Sequence, residues 1–236
     1  MHPTDKAARI AGALYLSLVI TGPFSLIYVP SKLIVRGNAT ATGNNILAHE
    51  TLFRLGIVAE LIGSVIFIFV VMALYRLLKG VNATHASHMV ALALVSAGVG
   101  FLNELNNIAA LTLFRGAAFL SVFEKPQRDA LAMLFLRLYG HGITINEIFW
   151  GLWLLPFGLL VIESGFIPRI LGVLLIVNCF AYVAVSLTSQ LLPSHAGLVN
   201  RCATIPETGE LWIMLWLLVK GAGVKPAPGI GGPVVA

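Results

Sequence analysis

The sequence predicts an all-α fold, a polytopic integral membrane protein whose single domain is a bundle of six transmembrane helices. Of its 236 residues, 58% are hydrophobic and only 11% are charged, whereas a soluble domain carries about 25% charged residues. The mean hydropathy is +0.92. One crossing of a bilayer takes about 20 apolar residues, so a chain of this length holds about six helices and no separate soluble domain.

The apolar runs locate the helices. The first run follows Lys6 and Arg9 and continues past Pro23. We interpret it as a kinked helix rather than as a signal peptide, because the apolar region of a signal peptide is shorter. The second run closes on Arg76 and Lys79. The predicted transmembrane helices are residues 9–29, 52–79, 86–114, 143–162, 169–191 and 205–220, within a domain of residues 1–221.

Two long interruptions separate the first four helices. Residues 30–43 contain Pro and Gly and are a predicted loop. Pro126 opens a predicted helix at the membrane surface, which ends at the Gly-His-Gly of residues 140–142. A continuous helix over 126–162 would be about 55 Å long, too long for one crossing. The fourth helix is expected to kink at Pro156.

The last two helices are joined by a predicted loop, residues 192–203. Thr204 and Glu207 match a capping box, T-x-x-E, which predicts that the sixth helix begins there. The tail of residues 222–236 is rich in Gly and Pro and is predicted to be disordered.

Six crossings put both termini on one side of the membrane. The two short loops on that side hold basic residues against the helix ends, which favours the cytoplasm. RIAGAL from Arg9 matches RILGVL from Arg169, and helices two and six close on LYRLLKG and LWLLVKG. Helices one and two are therefore expected to repeat as five and six, although membrane-anchoring residues alone would give the same letters.

The net charge of +5 is spread over loops and helix ends, as membrane anchoring produces without any nucleic acid. Cys179 lies inside a predicted helix and Cys202 in a loop, so no disulfide framework or zinc spacing is visible. The expected partners are the lipid bilayer and, if the interior binds a ligand, a small polar molecule or cation. No cofactor and no nucleic acid are expected.

Three stretches carry a resemblance to a known family. They are RIAGALYL from Arg9, NNILAHETLFRLGIVAELI from Asn44, and NEIFWGLWLLPFGLLVIESGFIPRILGVLL from Asn146. Together they resemble a bacterial family of multi-pass membrane proteins described only as domain of unknown function 4386, over most of residues 8–221. The resemblance implies a location in the bacterial inner membrane and supplies no catalytic or ligand residues.

The third helix carries polar residues near its middle, FLNELNN from Phe101. Ionisable side chains are costly inside a membrane and normally face other helices or a cavity, so they are functional-site candidates. The polar residues of helices three to six share a band from mid-bilayer to the non-cytoplasmic side, with Glu60 higher. This pattern predicts a polar vestibule whose carboxyls are protonated or paired with Arg residues. The candidate ligand-binding residues are Glu104, Asn103, Asn107, Glu147, Asn146, Glu60, Glu210 and Asn178.

Three classes of function fit such an interior. The polar residues can join helices in a structural or accessory protein, or they can bind or transport a proton, a cation or a small molecule. The third class is an intramembrane enzyme that uses His and carboxylate residues at the extracytoplasmic face. His49 and His141 are isolated and no H-E-x-x-H pattern is present, which weighs against an enzyme and against a metal.

One pair of carboxyls is expected to share a site. Glu104 lies beside a stripe of small and polar residues on the third helix, and Glu147 lies with Thr144 and Gly151 on the fourth. Such faces pack closely or line a hydrated interior. The tryptophans are interpreted as packing and interface anchors: they are Trp150, Trp153, Trp212 and Trp216.

Overall fold

The computed structural model describes residues 3–222. Those residues form ten α-helices and no strand. The helices are α1 Pro3–Pro23, α2 Val29–Leu33, α3 Ala39–Ala48, α4 Glu50–Leu78, α5 Ala83–Arg115, α6 Lys125–Leu152, α7 Leu154–Ser164, α8 Arg169–Leu191, α9 Pro193–Glu207 and α10 Gly209–Val219.

Six helical segments are long and apolar enough to cross a membrane. Spans 1 to 6 are Asp5–Leu33, Glu50–Leu78, Ala83–Arg115, Lys125–Ser164, Arg169–Leu191 and Pro193–Val219. The predicted fold class, an all-α membrane protein with six transmembrane helices, is confirmed. The repeat of helices one and two as five and six stays a prediction.

Span 1 is longer than predicted. A π-helical turn, Phe24–Tyr28, follows Pro23, and the chain then continues as α2. Pro30 lies in the first turn of α2, directly after the π-helical turn, and it does not end the span. The predicted loop of residues 30–43 is therefore wrong at both ends, because Asn38 caps α3 by accepting a hydrogen bond from Ala41 N at 2.9 Å.

Span 4 corrects a second prediction. The expected break at residues 140–142 is absent, and α6 is continuous through them. Gly142 packs directly against the side chain of Asn103, where a Cβ would have no room, and Asn103 Nδ2 donates to the carbonyl oxygen of Tyr139 at 3.0 Å. The glycine serves close helix packing rather than helix termination. The interruption lies at Trp153, three residues before the proline that was expected to kink this helix.

Span 6 also begins earlier than predicted. Residues 193–203, expected to be loop, belong to α9, which starts at Pro193. Thr204 lies inside this helix and its hydroxyl donates to the carbonyl oxygen of Asn200 at 3.2 Å, so the predicted capping box is wrong. The interruption comes at Thr208, between α9 and α10.

The bundle closes around α1, which packs against α4 and α10, and around α5, which packs against α4, α6 and α7. Small residues permit the closest approaches: a Cβ on Gly158 of α7 would lie 2.7 Å from the carbonyl oxygen of Gly172 in α8. Ala222 is buried and its N–H donates to Asp5 Oδ1 at 3.2 Å. The rest of the predicted disordered tail, residues 223–236, lies outside the described residues.

Candidate functional site

A central cavity of about 240 Å³ lies among the six spans, and each span contributes at least one lining side chain. The polar lining consists of carboxyl, amide and hydroxyl groups from Glu60, Glu210, Asn146, Tyr15, Thr21, Ser64, Ser96 and Tyr182. The largest of the remaining side chains are Phe67, Trp150 and Trp153. The cavity therefore combines acceptor oxygens with aromatic rings.

The Glu210 carboxyl group is held by neutral donors. The Tyr15 hydroxyl donates to its Oε2 atom, and Asn178 Nδ2 donates to its Oε1 atom at 3.1 Å. Gly209 brings Glu210 towards α8, because a Cβ on Gly209 would lie only 3.1 Å from the carbonyl oxygen of Leu174. Both carboxyl oxygens are already bonded, and the bonds join spans 1, 5 and 6.

The Glu60 carboxyl group has a different environment. Ser25 Oγ lies 2.6 Å from its Oε2 atom and 3.0 Å from the carbonyl oxygen of Thr21. The single Ser25 hydrogen can be donated to an ionised Glu60; when Glu60 carries a proton, Glu60 donates to Ser25 and Ser25 donates to Thr21. No described side chain donates to Oε1 of Glu60. The π-helical turn thus supplies a hydroxyl that bonds Glu60 in either charge state.

Asn146, which also lines the cavity, carries a buried oxygen without a donor. Its Nδ2 atom donates to the carbonyl oxygen of Ser96 at 3.1 Å, which joins spans 4 and 3. Its Oδ1 atom is buried and has no donor among the described residues, and the residue as a whole is 3% exposed. The amide cannot be flipped to relieve this, because Oδ1 would then face the Ser96 carbonyl oxygen. Asn146 Oδ1 is therefore an unpaired acceptor enclosed between the helices, with almost no accessible surface.

A second cavity, of about 280 Å³, borders the first. Ser25, Asn107 and Tyr139 give it polar walls, and Leu26 lines both cavities. Glu104 lies behind this wall: its Oε2 atom accepts from Asn107 Nδ2 at 3.0 Å, and its buried Oε1 atom has no donor among the described residues. The hydrogen-bonded pair of Ser25 and Glu60 stands where the two cavities meet.

Glu147 lies in another part of the interior. Its acidic neighbour is Glu207 of α9, and Tyr182 is nearby. Glu104 instead has Glu60 and Tyr139 as its neighbours. The structure places the two carboxyls that were expected to share a site in different groups, and neither lines the central cavity.

Charge pairing separates the membrane edge from the interior. Within residues 5–222, the ion pairs are Arg54–Glu50, Arg115–Glu50, Lys125–Asp129 and His85–Glu163. None of them includes an acid of the interior: Glu60, Glu104, Glu147, Glu207 and Glu210. The interior carboxyls were expected to be either protonated or paired with Arg residues, and no pair with an Arg is present among the described residues. Protons or a ligand remain as the source of neutralising charge.

No histidine or cysteine of the described residues lines either cavity. His49 and His141 are exposed, and both described cysteines, Cys179 and Cys202, are free thiols. Within the described part of the chain, no three His, Cys, Asp or Glu side chains lie close enough together to hold a metal ion.

A family model described as Domain of unknown function (DUF4386) matches residues 10–221. The chain belongs to this family. No curated protein and no solved structure matches it. The resemblance given by the three sequence stretches is thereby confirmed, and the family description assigns no activity.

The predicted ligand-binding residues fall into three groups. Glu60, Asn146 and Glu210 line the central cavity, and Asn178 bonds to the last of these. Asn107 lines the second cavity, with Glu104 and Asn103 beside it; the Asn103 amide bonds to the Tyr139 carbonyl oxygen. Glu147 stands apart from both groups.

Several cavity residues were missed by sequence reasoning. Trp150 and Trp153 were interpreted as anchors, although their spacing of four and seven residues from Asn146 puts all three on one helical face. That spacing is a signal that could have found them. Tyr15 and Ser25 gave no such signal, because their roles depend on which helix packs against α1.

Proposed function

We propose that the protein binds a small cation in the central cavity and acts as a membrane binding or transport protein. The observation that carries the proposal is the unengaged Oε1 atom of Glu60, in a cavity that no basic side chain of the described residues lines. An ionised carboxylate at this depth is costly without a counter-charge. A bound cation would supply that charge, and a proton would supply it when the cation leaves.

The position of Ser25 supports exchange between proton and cation. Because the Ser25 hydroxyl bonds Glu60 in both charge states, the helix contact between spans 1 and 2 persists whichever ion is present. The second cavity offers a route to this site, since Leu26 lines both cavities and Ser25, which lines the second, bonds Glu60 of the first. In the proposed orientation, with both termini cytoplasmic in an inner membrane, the second cavity lies on the non-cytoplasmic side of the first.

A structural role is the second candidate. The amides of Asn103 and Asn146 each bond a backbone carbonyl of the neighbouring span, and such bonds join transmembrane helices at about 0.6 kcal/mol each. This role accounts for those two bonds. It gives no reason for the unengaged Oε1 atom of Glu60 to lie in a cavity.

The proposal is tested with the full-length protein in lipid nanodiscs, by calorimetric titration with NaCl, KCl and butylammonium chloride. We expect at least one of these cations to bind saturably. Glu60→Gln should weaken that binding about tenfold or more, a change of about 1.4 kcal/mol. Glu163→Gln is the matched control, because Glu163 lies at a helix end outside the cavity and pairs with His85.

Two results would contradict the proposal. One is that none of the three cations binds saturably to the wild-type protein. The other is that Glu60→Gln binds the cation as tightly as the Glu163→Gln control does.

A further inference from the structure

We infer that the cation is a small organic ammonium ion, with its N–H groups directed at Glu60 and its carbon chain against Trp150 and Trp153. This inference rests on the proposed function and adds the chemical class of the ligand.

The unengaged acceptors match an ammonium group. Glu60 Oε1 has no donor among the described residues, and the Ser64 hydroxyl lines the same cavity one helical turn from Glu60. An ammonium group brings up to three N–H donors and no acceptor. It would give one donor to Glu60 Oε1 and another to the Ser64 oxygen, and it would offset the charge of Glu60.

The remaining walls favour an organic cation over a metal ion. Five aromatic side chains line the cavity: Tyr15, Phe67, Trp150, Trp153 and Tyr182. The rings of Phe67 and Trp153 meet edge to face with centroids 5.1 Å apart, and those of Trp150 and Tyr182 do so at 6.1 Å. Aromatic faces attract ammonium ions, most strongly where water is excluded. Hard metal ions instead require about six oxygen ligands, and the unengaged side-chain oxygens are fewer.

The cavity also limits the charge and size of the ligand. Glu210 already accepts from Tyr15 and Asn178 with both oxygens, so it needs a further donor less than Glu60 does, whose Oε1 atom has none among the described residues. One ammonium group is therefore expected rather than two. A volume of about 240 Å³ corresponds to about eight water molecules at 30 Å³ each, which suits a ligand of about eight non-hydrogen atoms or fewer.

The test compares butylammonium with butan-1-ol, Na⁺, K⁺ and 1,4-diaminobutane, by calorimetric titration of the full-length protein in nanodiscs. Butan-1-ol keeps the carbon chain and removes the charge, and 1,4-diaminobutane adds a second charge. We expect butylammonium to bind at least about tenfold more tightly than each of the others. Trp150→Leu should weaken butylammonium binding about fivefold or more, whereas Trp212→Leu should not, because Trp212 is exposed on the outer face of α10.

Each outcome decides a separate question. Saturable binding of Na⁺ or K⁺ without butylammonium binding would overturn the ammonium inference and leave the proposed function standing. If butan-1-ol bound as tightly as butylammonium, the proposed role of the ligand's charge would be wrong. If Trp150→Leu and Trp212→Leu weakened butylammonium binding equally, the proposed contact with Trp150 would be wrong. Binding of none of the cations would contradict the proposed function as well.

Discussion

The acids at the edges of the membrane and the acids within it are held in opposite ways. At the edges, Glu50 lies 2.7 Å from Arg54, and Asp129 lies 2.7 Å from Lys125. For the five glutamates of the interior, the described side-chain bonds come from neutral hydroxyl and amide groups only. These donors are Ser25, Tyr15, Asn178 and Asn107.

Solvation explains the difference between the two regions. Long basic side chains at the membrane edge keep their charged ends in water while pairing with an acid. In the interior, desolvating two charges costs several kcal/mol per ion, and their attraction recovers this only with excellent geometry. Neutral donors hold an interior carboxyl in place without adding charge. They leave its neutralisation to a proton or a ligand, which a fixed Arg or Lys would exclude.

The difference between the two regions is tested by giving Glu60 a basic partner, which the acids at the membrane edge have. Ser64→Lys places a cation four residues after Glu60, the spacing of Arg54 from Glu50. Two opposite charges about 4 Å apart attract by about 4 kcal/mol at an effective dielectric constant of about 20. We expect cation binding in nanodiscs to weaken about a hundredfold or more.

Ser64→Met is the control for that variant, because its side chain also lengthens into the cavity but carries no charge. A Ser64→Lys protein that folds and binds cations as well as Ser64→Met would mean that a fixed charge does not replace the ligand.

A smaller effect is expected on the free energy of unfolding, where loss of a charged bond should cost more than loss of a neutral one. Lys125→Met leaves the buried carboxylate of Asp129 without its bond from Lys125, at a cost of about 1–3 kcal/mol. Ser25→Ala removes one neutral bond to Glu60 and should cost only about 0.6 kcal/mol. Unfolding in mixed micelles of increasing denaturing detergent measures both free energies.

Salt provides the internal check on this prediction. Lys125 is half exposed, so its pair with Asp129 is open to screening by salt. The cost of Lys125→Met should therefore fall as salt is added, while that of Ser25→Ala stays constant. Equal salt dependence of the two would contradict the division into charged and neutral bonds.

Composition and apolar runs were sufficient for the fold, because six runs of membrane length can form little else than six crossing helices. The predicted helix boundaries were wrong where contacts between helices determine them. Gly142 was interpreted as a helix end, yet it faces Asn103 across a close helix contact. Residues 193–203 were interpreted as a loop, and they continue a helix. Local sequence does not reveal that a glycine has a neighbouring helix against it.

The site was predictable only in part for the same reason. Glu60, Asn146 and Glu210 were candidates because polar groups are costly in a membrane. It was not predictable which of these residues lie together, because the helical spacing of residues within one span does not say which spans are in contact. Adjacent residues show this well: Asn146 faces Ser96 of α5, whereas Glu147 lies near Glu207 of α9.

The most direct test of the account is competition between protons and the cation at Glu60. The titratable groups that face Glu60 or share its cavity are Glu104, Tyr139, Tyr15, Tyr182 and Glu210, so Glu104→Gln is measured beside Glu60→Gln. Cation affinity in nanodiscs is followed from about pH 8 to about pH 5, together with proton release. The account predicts that in the wild type and in Glu104→Gln affinity falls towards about tenfold per pH unit, with about one proton released per cation bound at the acidic end. It predicts that Glu60→Gln loses this dependence. Affinity independent of pH in the wild type, or the same pH dependence in Glu60→Gln, would contradict it.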